Sequence, residues 1–261
     1  MNTPDDRPAA LITGAVKRVG LAIARELARA WQPSGGCRLI ITYRSSEAQA
    51  RTAEAELRPL GADVQLHRVD FDSPAAADDF AHHLARTLPR LDVLVHNAST
   101  YVPTPLASIT AEQALAAYRV NALAPLLLSG RLAPLLSRSM LPGGGAIVAM
   151  CDIHALGEHG LPRPDFIAYG MSKAALAEMV RSLARELAPR VRVNGVAPGV
   201  VAWPEQGHES DPKAQEAYLT RVPLARAGTP EDAACVVRWL ALEATYVTGE
   251  IVRVDGGRSL R

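Results

Sequence analysis

Cysteine is scarce in this chain: its 261 residues contain only Cys37, Cys151 and Cys235. The set is odd, widely spaced and free of any C-x-x-C pair, which excludes a disulfide framework and a thiolate zinc site and points to a reducing compartment. The seven histidines include the neighbours His82 and His83 but no H-E-x-x-H or similar spacing, so no metal is expected. Charge of one sign is lacking too. A formal net charge of +1, with basic residues scattered rather than blocked, leaves no footprint for nucleic acid or an anionic membrane. No apolar run approaches the roughly 20 residues needed to span a bilayer. The polar start, with Pro4, Asp5 and Asp6, lacks the pattern of a signal peptide, so a cytoplasmic protein is expected.

What is present is ordinary globular composition, 48% hydrophobic and 21% charged, in a chain long enough to build a core without staples. Short β-rich runs alternate with helical patterns throughout. Ala9–Thr13 leads to a helix near Val19–Trp31, Cys37–Tyr43 to Glu47–Leu60, and Asp63–Val69 to Pro74–Leu88. Leu91–Ala98 is followed by a loop and one long helical stretch from about Ala111 to Ser137. Gly145–Cys151 precedes a helix near Phe166–Leu187, and Arg190–Pro198 and Gly249–Gly256 close the set around a helix at Glu231–Glu243. The strand cores are nearly continuous Val, Ile and Leu, as expected when helices cover both faces of a parallel sheet. Right-handed crossovers then predict one α/β domain over residues 1–261, a doubly wound parallel sheet flanked by helices. The most polar irregular insertion is Trp203–Gln215.

Near the start, "LITGAVKRVGLAIARELA" joins an apolar run to a helix through Gly14 and Gly20. A glycine at the turn accepts unusual backbone angles, one in the helix allows close packing on the sheet, and the helix N-terminus offers N–H groups to a pyrophosphate. An ordinary tight turn would read the same way. The second strand ends in "TYRSS", with no acid before Glu47 to accept a ribose 2′-hydroxyl; Arg44 beside Ser45 and Ser46 suits a 2′-phosphate and hence NADPH. The alternative is a solvated strand end with an incidental arginine. Further on, "YGMSK" sets Tyr169 and Lys173 one helical turn apart. A tyrosine is a poor proton relay unless its phenolate is stabilised, and a lysine on the same face supplies that charge. Alone, such a pair is a frequent coincidence.

In combination the coincidence disappears. "TGAVKRVG", "HNAS", "VNAL", "YGMSK" and "VAPG" occur in this order across nearly the whole chain, and together they resemble the short-chain dehydrogenase/reductase family. The resemblance implies a seven-stranded Rossmann sheet, with Tyr169 as acid/base, Lys173 lowering its pKa and binding the nicotinamide ribose, and Asn121 holding a relay water. It implies a cofactor site from Gly14, Lys17, Arg18, Val19 and Gly20, from Tyr43, Arg44 and Ser45, and from Asp70 and Phe71. Asn97, Ala98 and Ser99 would run beneath the cofactor, and Pro198, Gly199 and Val201 would border the nicotinamide with Tyr169 and Lys173.

Two departures are informative. Arg18 replaces the middle glycine of the phosphate loop, and Asp152 stands where the family normally has a catalytic serine. Both resemble the pteridine reductase branch, as do "YRSS", "NASTYVPTPL" and the ending "VTGEIVRVDGGRSL"; bacterial dihydromonapterin reductases are similar. That branch implies a pterin or folate substrate touched by Arg18, Ser99, Tyr101, Asp152 and Tyr169, with Arg18 spanning pyrophosphate and heterocycle and Tyr101 stacking on the ring. The branch more often has phenylalanine at Tyr101, whose hydroxyl then needs a partner. Asp152 would help carry a proton to a ring nitrogen, or else simply cap a turn. Asp152 to Tyr169 is about four residues longer than in the branch, implying a larger loop around Gly157, Gly160, Pro162 and Pro164. The segment after Trp203 would be a substrate lid, or equally a static surface helix. Family members are commonly homotetramers pairing the helices near Ala111–Ser137 and Phe166–Leu187. The rival readings are a ketone or acyl-thioester reductase on the same scaffold and a non-catalytic NADPH-binding sensor.

Overall fold

The computed structural model describes residues 7–156, 161–204 and 208–260. Seven strands alternate with helices: β1 (Ala9–Ile12), α1 (Arg18–Trp31), β2 (Cys37–Tyr43), α2 (Glu47–Leu57), β3 (Ala62–Arg68), α3 (Pro74–Thr87) and β4 (Val93–His96) make the first half. The second half comprises α4 (Ala111–Tyr118), α5 (Ala124–Leu136), β5 (Gly145–Met150), α6 (Ile167–Glu186), β6 (Val191–Pro198), α7 (Pro212–Leu219), α8 (Pro230–Leu242) and β7 (Ile251–Val254).

The strands form one sheet in the order β3-β2-β1-β4-β5-β6-β7, and every pairing is parallel. The chain leaves β1 in one direction and β4 in the other, so a crevice opens above the carboxyl ends of these two strands, where open α/β sheets take their ligands. The residues of β1, β4 and β5 are buried throughout, which explains why they are apolar apart from His96. Beneath one face Leu27, Ala28, Val237 and Leu240 of α1 and α8 pack together with Ile12, Leu39 and Ile41. On the other face α3, α5 and α6 cover Leu11, Leu94 and Ile147 with Phe80, Leu84, Leu128, Leu132 and Val180. Each fully buried Leu or Ile contributes about 1.5–3 kcal/mol, so the two layers hold the crevice rigidly from below.

Three elements differ from the sequence-based expectation. The stretch from Ala111 to Ser137 is not one helix: α4 and α5 are joined by a π-helical turn at Arg119–Leu123. Pro125 gives the physical reason. It has no N–H for the carbonyl of Asn121, and in a regular α-helix its ring would strike that carbonyl; the wider turn avoids the clash. The second helix stops at Leu57 and tightens into a 3-10 turn over Arg58–Leu60, with Pro59 at its start and Gly61 left-handed at φ 81°. Finally, the polar insertion contains the start of α7, whose N-cap Asp211 accepts hydrogen bonds from the backbone of Lys213 and Ala214.

Candidate active site

The phosphate turn is built by neighbours that sequence reading passed over. Thr13 accepts hydrogen bonds from the backbone N–H groups of Asn97 (2.9 Å) and Ala98 (3.0 Å), and Thr42 accepts from Gly14 N at 3.0 Å. The Asn97 side chain donates back to the carbonyls of Thr13 and Gly14, both at 2.9 Å. This stitching sets the glycine requirements. Gly14 has φ 65° and lies against Ala98, whereas a Cβ on Gly20 would fall 2.6 Å from both the Asn97 amide nitrogen and the Gly14 carbonyl. Arg18 itself adopts φ 52°, the left-handed conformation natural to the glycine it replaces. An L-residue there costs roughly 1–2 kcal/mol, so the arginine side chain sits at a position where the backbone disfavours it.

Above this turn lies a cleft of about 940 Å³. Gly14, Lys17, Arg18, Val19 and Gly20 line it from the first turn, and Tyr43, Arg44 and Ser45 from the end of β2. Asp70, Phe71, Asn97, Ala98 and Ser99 supply the far wall, while Pro198, Gly199 and Val201 come from the end of β6. Helix α1 starts without a side-chain cap and with no acid in its first turn. Its leading N–H groups therefore face the cleft with positive dipole and no competing carboxylate. Lys17, Arg18 and Arg44 add cations around the same space. A dinucleotide with an anionic pyrophosphate fits this donor set, and the end of β2 offers cation and hydroxyl rather than carboxylate.

Asp152, Tyr169 and Lys173 meet at the end of β5. Asp152 uses both oxygens: Oδ1 accepts the backbone N–H of His154 at 2.7 Å, capping the short turn Ile153–Ala155, and Oδ2 accepts the Tyr169 hydroxyl at 2.5 Å. Turn-capping and contact with the Tyr169 hydroxyl are thus one arrangement. Burial, then the Asp152 charge and its hydrogen bond, hold the Tyr169 phenol well above its ordinary pKa. Lys173 is buried one turn along α6; its Nζ donates to the Met150 carbonyl at 2.7 Å and lies 5.8 Å from the Tyr169 ring centre. Burial lowers its pKa, partly countered by Asp152. The Lys173 amine faces the Met150 carbonyl rather than the Tyr169 hydroxyl. The hydroxyl looks to Asp152, and the tyrosine is held protonated.

Asn121 lies behind this pair, at 1% exposure. Its Nδ2 donates to Thr100 O (3.0 Å) and Ser172 Oγ (2.9 Å), while its Oδ1 accepts from Thr100 N (2.8 Å) and Ser99 Oγ (3.1 Å). The amide's donors and acceptor are all engaged. Its side chain is thus spent on holding the loop at Thr100 to α6.

At the substrate end, Tyr101 is stacked on Phe166 with ring centres 4.4 Å apart, and meets Tyr169 edge-on at 4.8 Å. Its hydroxyl donates to Glu209 at 3.0 Å, which supplies the partner that a phenylalanine would not need. Burial pushes this phenol up to about 12, against the pull of Arg163. Arg163 pairs with Glu209 and spreads its guanidinium over Phe166 and Tyr101, 4.9 Å and 5.6 Å from their ring centres. Arg18 donates to the Trp203 carbonyl at 2.6 Å. Arg163, Phe166 and Glu209 were not singled out in the sequence. The only signal was a lone cation between prolines in "LPRPDF" and an acid in the polar insertion. Gly157, Gly160 and the middle of the insertion at 205–207 lie outside the described residues.

Cys151 borders the cleft, but burial raises its thiol to about 12, so it is no nucleophile at neutral pH. Among the described residues no group of three or more His, Cys, Asp or Glu is placed to hold a metal, and no helix is long and apolar enough to cross a membrane.

Comparison with known proteins agrees with this geometry. A family model described as Enoyl-(Acyl carrier protein) reductase matches residues 14–259. The chain is 35% identical to a rhamnolipids biosynthesis 3-oxoacyl-[acyl-carrier-protein] reductase of Pseudomonas aeruginosa, covering 95% of this chain and 94% of that one. It is 30% identical to 3beta-hydroxysteroid dehydrogenase 1 of Eggerthella lenta, over 96% and 93% of the two chains. It is 32% identical to pteridine reductase 1 of Leishmania tarentolae, over 100% and 99%. A solved structure from Sinorhizobium meliloti, described as a short-chain alcohol dehydrogenase, superposes with a TM-score of 0.85 at 27% identity, covering 96% of each chain.

Proposed function

The chain belongs to the short-chain dehydrogenase/reductase family, and from that premise we propose that this oxidoreductase uses NADPH to reduce pteridines, taking dihydropterins to tetrahydropterins. The family uses NAD(P)H, which when bound supplies a hydride to a substrate carbon. The choice of the phosphorylated form rests on Arg44 and Ser45 at the end of β2, where no carboxylate lines the cleft to accept the 2′-hydroxyl.

One observation carries the substrate reading: the Asp152 carboxylate hydrogen-bonded to the Tyr169 hydroxyl at 2.5 Å. Reduction of a ring C=N requires a proton on nitrogen. Tyr169, held protonated, has a proton at Oη, and Asp152 holds that hydroxyl in place while offering a carboxylate to pyrimidine N–H groups. Lys173 is anchored by its Nζ on the Met150 carbonyl one turn along α6, and Ser172 and Asn121 tie α6 to the loop carrying Ser99 and Tyr101. Arg18, kept at a glycine-like backbone angle, presents planar donors between the pyrophosphate end and the substrate end of the cleft. A ketone or thioester substrate needs neither the carboxylate nor the aromatic shelf of Tyr101.

The test is oxidation of NADPH, with NADH in parallel, on dihydrobiopterin, dihydromonapterin and dihydrofolate, and on acetoacetyl-coenzyme A as a thioester. Turnover on a pterin with NADPH preferred at least about tenfold is the expected result; a tenfold preference corresponds to about 1.4 kcal/mol, within the range of one charge-assisted hydrogen bond. Turnover on the thioester alone would overturn the substrate reading and leave the family assignment standing. Tight NADPH binding without turnover on any of these would favour a sensor.

A further inference from the structure

The substrate end of the cleft carries an ion pair that hydride and proton transfer do not use. Arg163 and Glu209 come from different segments, one leading into α6 and the other between β6 and α7, and they pair across the cleft wall. Their side chains are only 24% and 17% exposed. Arg163 is fixed on its own side by the Phe166 and Tyr101 rings beneath its guanidinium, whereas Glu209 is fixed by Arg163 and by the Tyr101 hydroxyl. Arg163 also borders a second, open and mostly apolar depression of about 310 Å³, lined by Pro162, Phe166, Ile167 and Met171.

On the reading of this cleft as a reductase substrate site, we propose that Arg163 is a specificity-determining residue that binds an anionic substituent of the substrate, a carboxylate or phosphate carried on a tail remote from the reduced ring, in exchange for Glu209. The exchange replaces one carboxylate–guanidinium pair by another. Arg163 keeps its counter-charge, and Glu209 keeps the Tyr101 hydroxyl on Oε2 while the released Oε1 turns to water. A neutral substrate offers Arg163 nothing better than Glu209, so the pair stays closed over it. Glu209 is therefore the internal competitor of the tail, and the two residues act on tail selection with opposite sign. The planar guanidinium, already spread over two rings, suits this role better than a lysine.

The experiment compares kcat/KM for two substrates sharing a reducible ring, dihydrofolate with its anionic glutamyl tail and dihydrobiopterin without one, in the wild type, R163Q and E209Q. The quantity read is the ratio of the two kcat/KM values. It is expected to fall at least about tenfold in R163Q, through KM rather than kcat, and to rise severalfold in E209Q. A ratio unchanged in R163Q, or lowered in E209Q, would overturn the proposal. Should neither pterin turn over, the pteridine reading fails separately. The same variants are then read with acetoacetyl-coenzyme A against ethyl acetoacetate, which differ in the phosphate-bearing tail. Binding of p-aminobenzoylglutamate to the NADPH-loaded protein, followed by tryptophan fluorescence, gives a readout without turnover. Weaker binding in R163Q and tighter binding in E209Q support the exchange, and equal binding in the three proteins overturns it.

Discussion

A carboxylate and a phenol 2.5 Å apart concentrate the chemistry of this cleft in two side chains. Replacing Asp152 with serine, D152S, leaves a hydroxyl able to touch the substrate but removes the acceptor that holds the Tyr169 proton. Loss of an acid/base partner typically costs about 100-fold or more in rate, so pterin turnover is expected to fall by about that factor. The dissociation constant for NADPH, read by fluorescence titration, should stay within about threefold, since the Asp152 carboxylate is engaged with His154 N and the Tyr169 hydroxyl and not with the phosphate turn. Equal losses in both measurements would remove Asp152 from proton handling. Both side chains were legible in the sequence, Tyr169 because it matches a family motif and Asp152 because it departs from one at a countable position. Arg163 and Glu209 were not, since an ion pair between two irregular segments leaves no periodicity or spacing to read. The direction of the Tyr169 shift was also hidden. It depends on burial and on the orientation of one Asp152 oxygen, neither of which a spacing of residues encodes.

Elements position these side chains, and the π-turn at Arg119–Leu123 does so most directly. It turns the Asn121 amide inward, where it links the Thr100 backbone, Ser99 and Ser172. The substitution N121A would take their partner from the partly buried Thr100 N–H and carbonyl, and one of two hydrogen bonds from the buried Ser172 hydroxyl, which still donates to the Tyr169 carbonyl. Each unsatisfied group costs about 1–3 kcal/mol, and rearrangement recovers part of the loss, so urea denaturation should show a destabilisation of about 2–4 kcal/mol. Activity should fall more steeply than stability alone explains, because the loop bearing Ser99 and Tyr101 loses its tie to α6. A variant as stable as the wild type would show that the clamp is dispensable. The alternation of strands and helices, and the doubly wound parallel sheet it builds, followed from apolar runs and crossover rules. The break in the helix did not, although its cause was visible: a proline four residues after Asn121, in "NALAP". Proline near a helix start is unremarkable, and only the tertiary demand for Asn121 distinguishes a widened turn from a new helix.

For the whole molecule, two properties follow from what is buried and what is not. His96, at the end of β4, is buried, with Nε2 beside the Ser129 hydroxyl at 2.8 Å, and burial pushes its pKa down to about 3. An unfolded histidine titrates near 6.5, so the unfolded chain binds this proton first. The stability held in His96 is complete above the unfolded value and is lost as pH falls toward 3, at about 1.4 kcal/mol per pH unit within that window. H96Q, which retains a polar partner for Ser129 without a titrating ring, should show a flatter dependence of Tm on pH between about 6 and 4. A parallel profile would assign the acid sensitivity elsewhere.

The outside carries the second property. Leu115, Tyr118 and Leu126 on α4 and α5, with Ile167 and Met171 on α6, stand between 39% and 68% exposed, and α4 and α6 lie against each other. Isolated apolar residues are common on surfaces, but several large ones on adjoining helices form the kind of patch that association covers. A homotetramer pairing these helices is the assembly proposed for the chain. Light scattering at micromolar concentration should return four times the chain mass. L126E combined with M171E should shift the population toward smaller species, because an interface core tolerates unpaired charge poorly. A wild-type monomer at that concentration would mean that the patch on α4, α5 and α6 is covered by something other than a second copy.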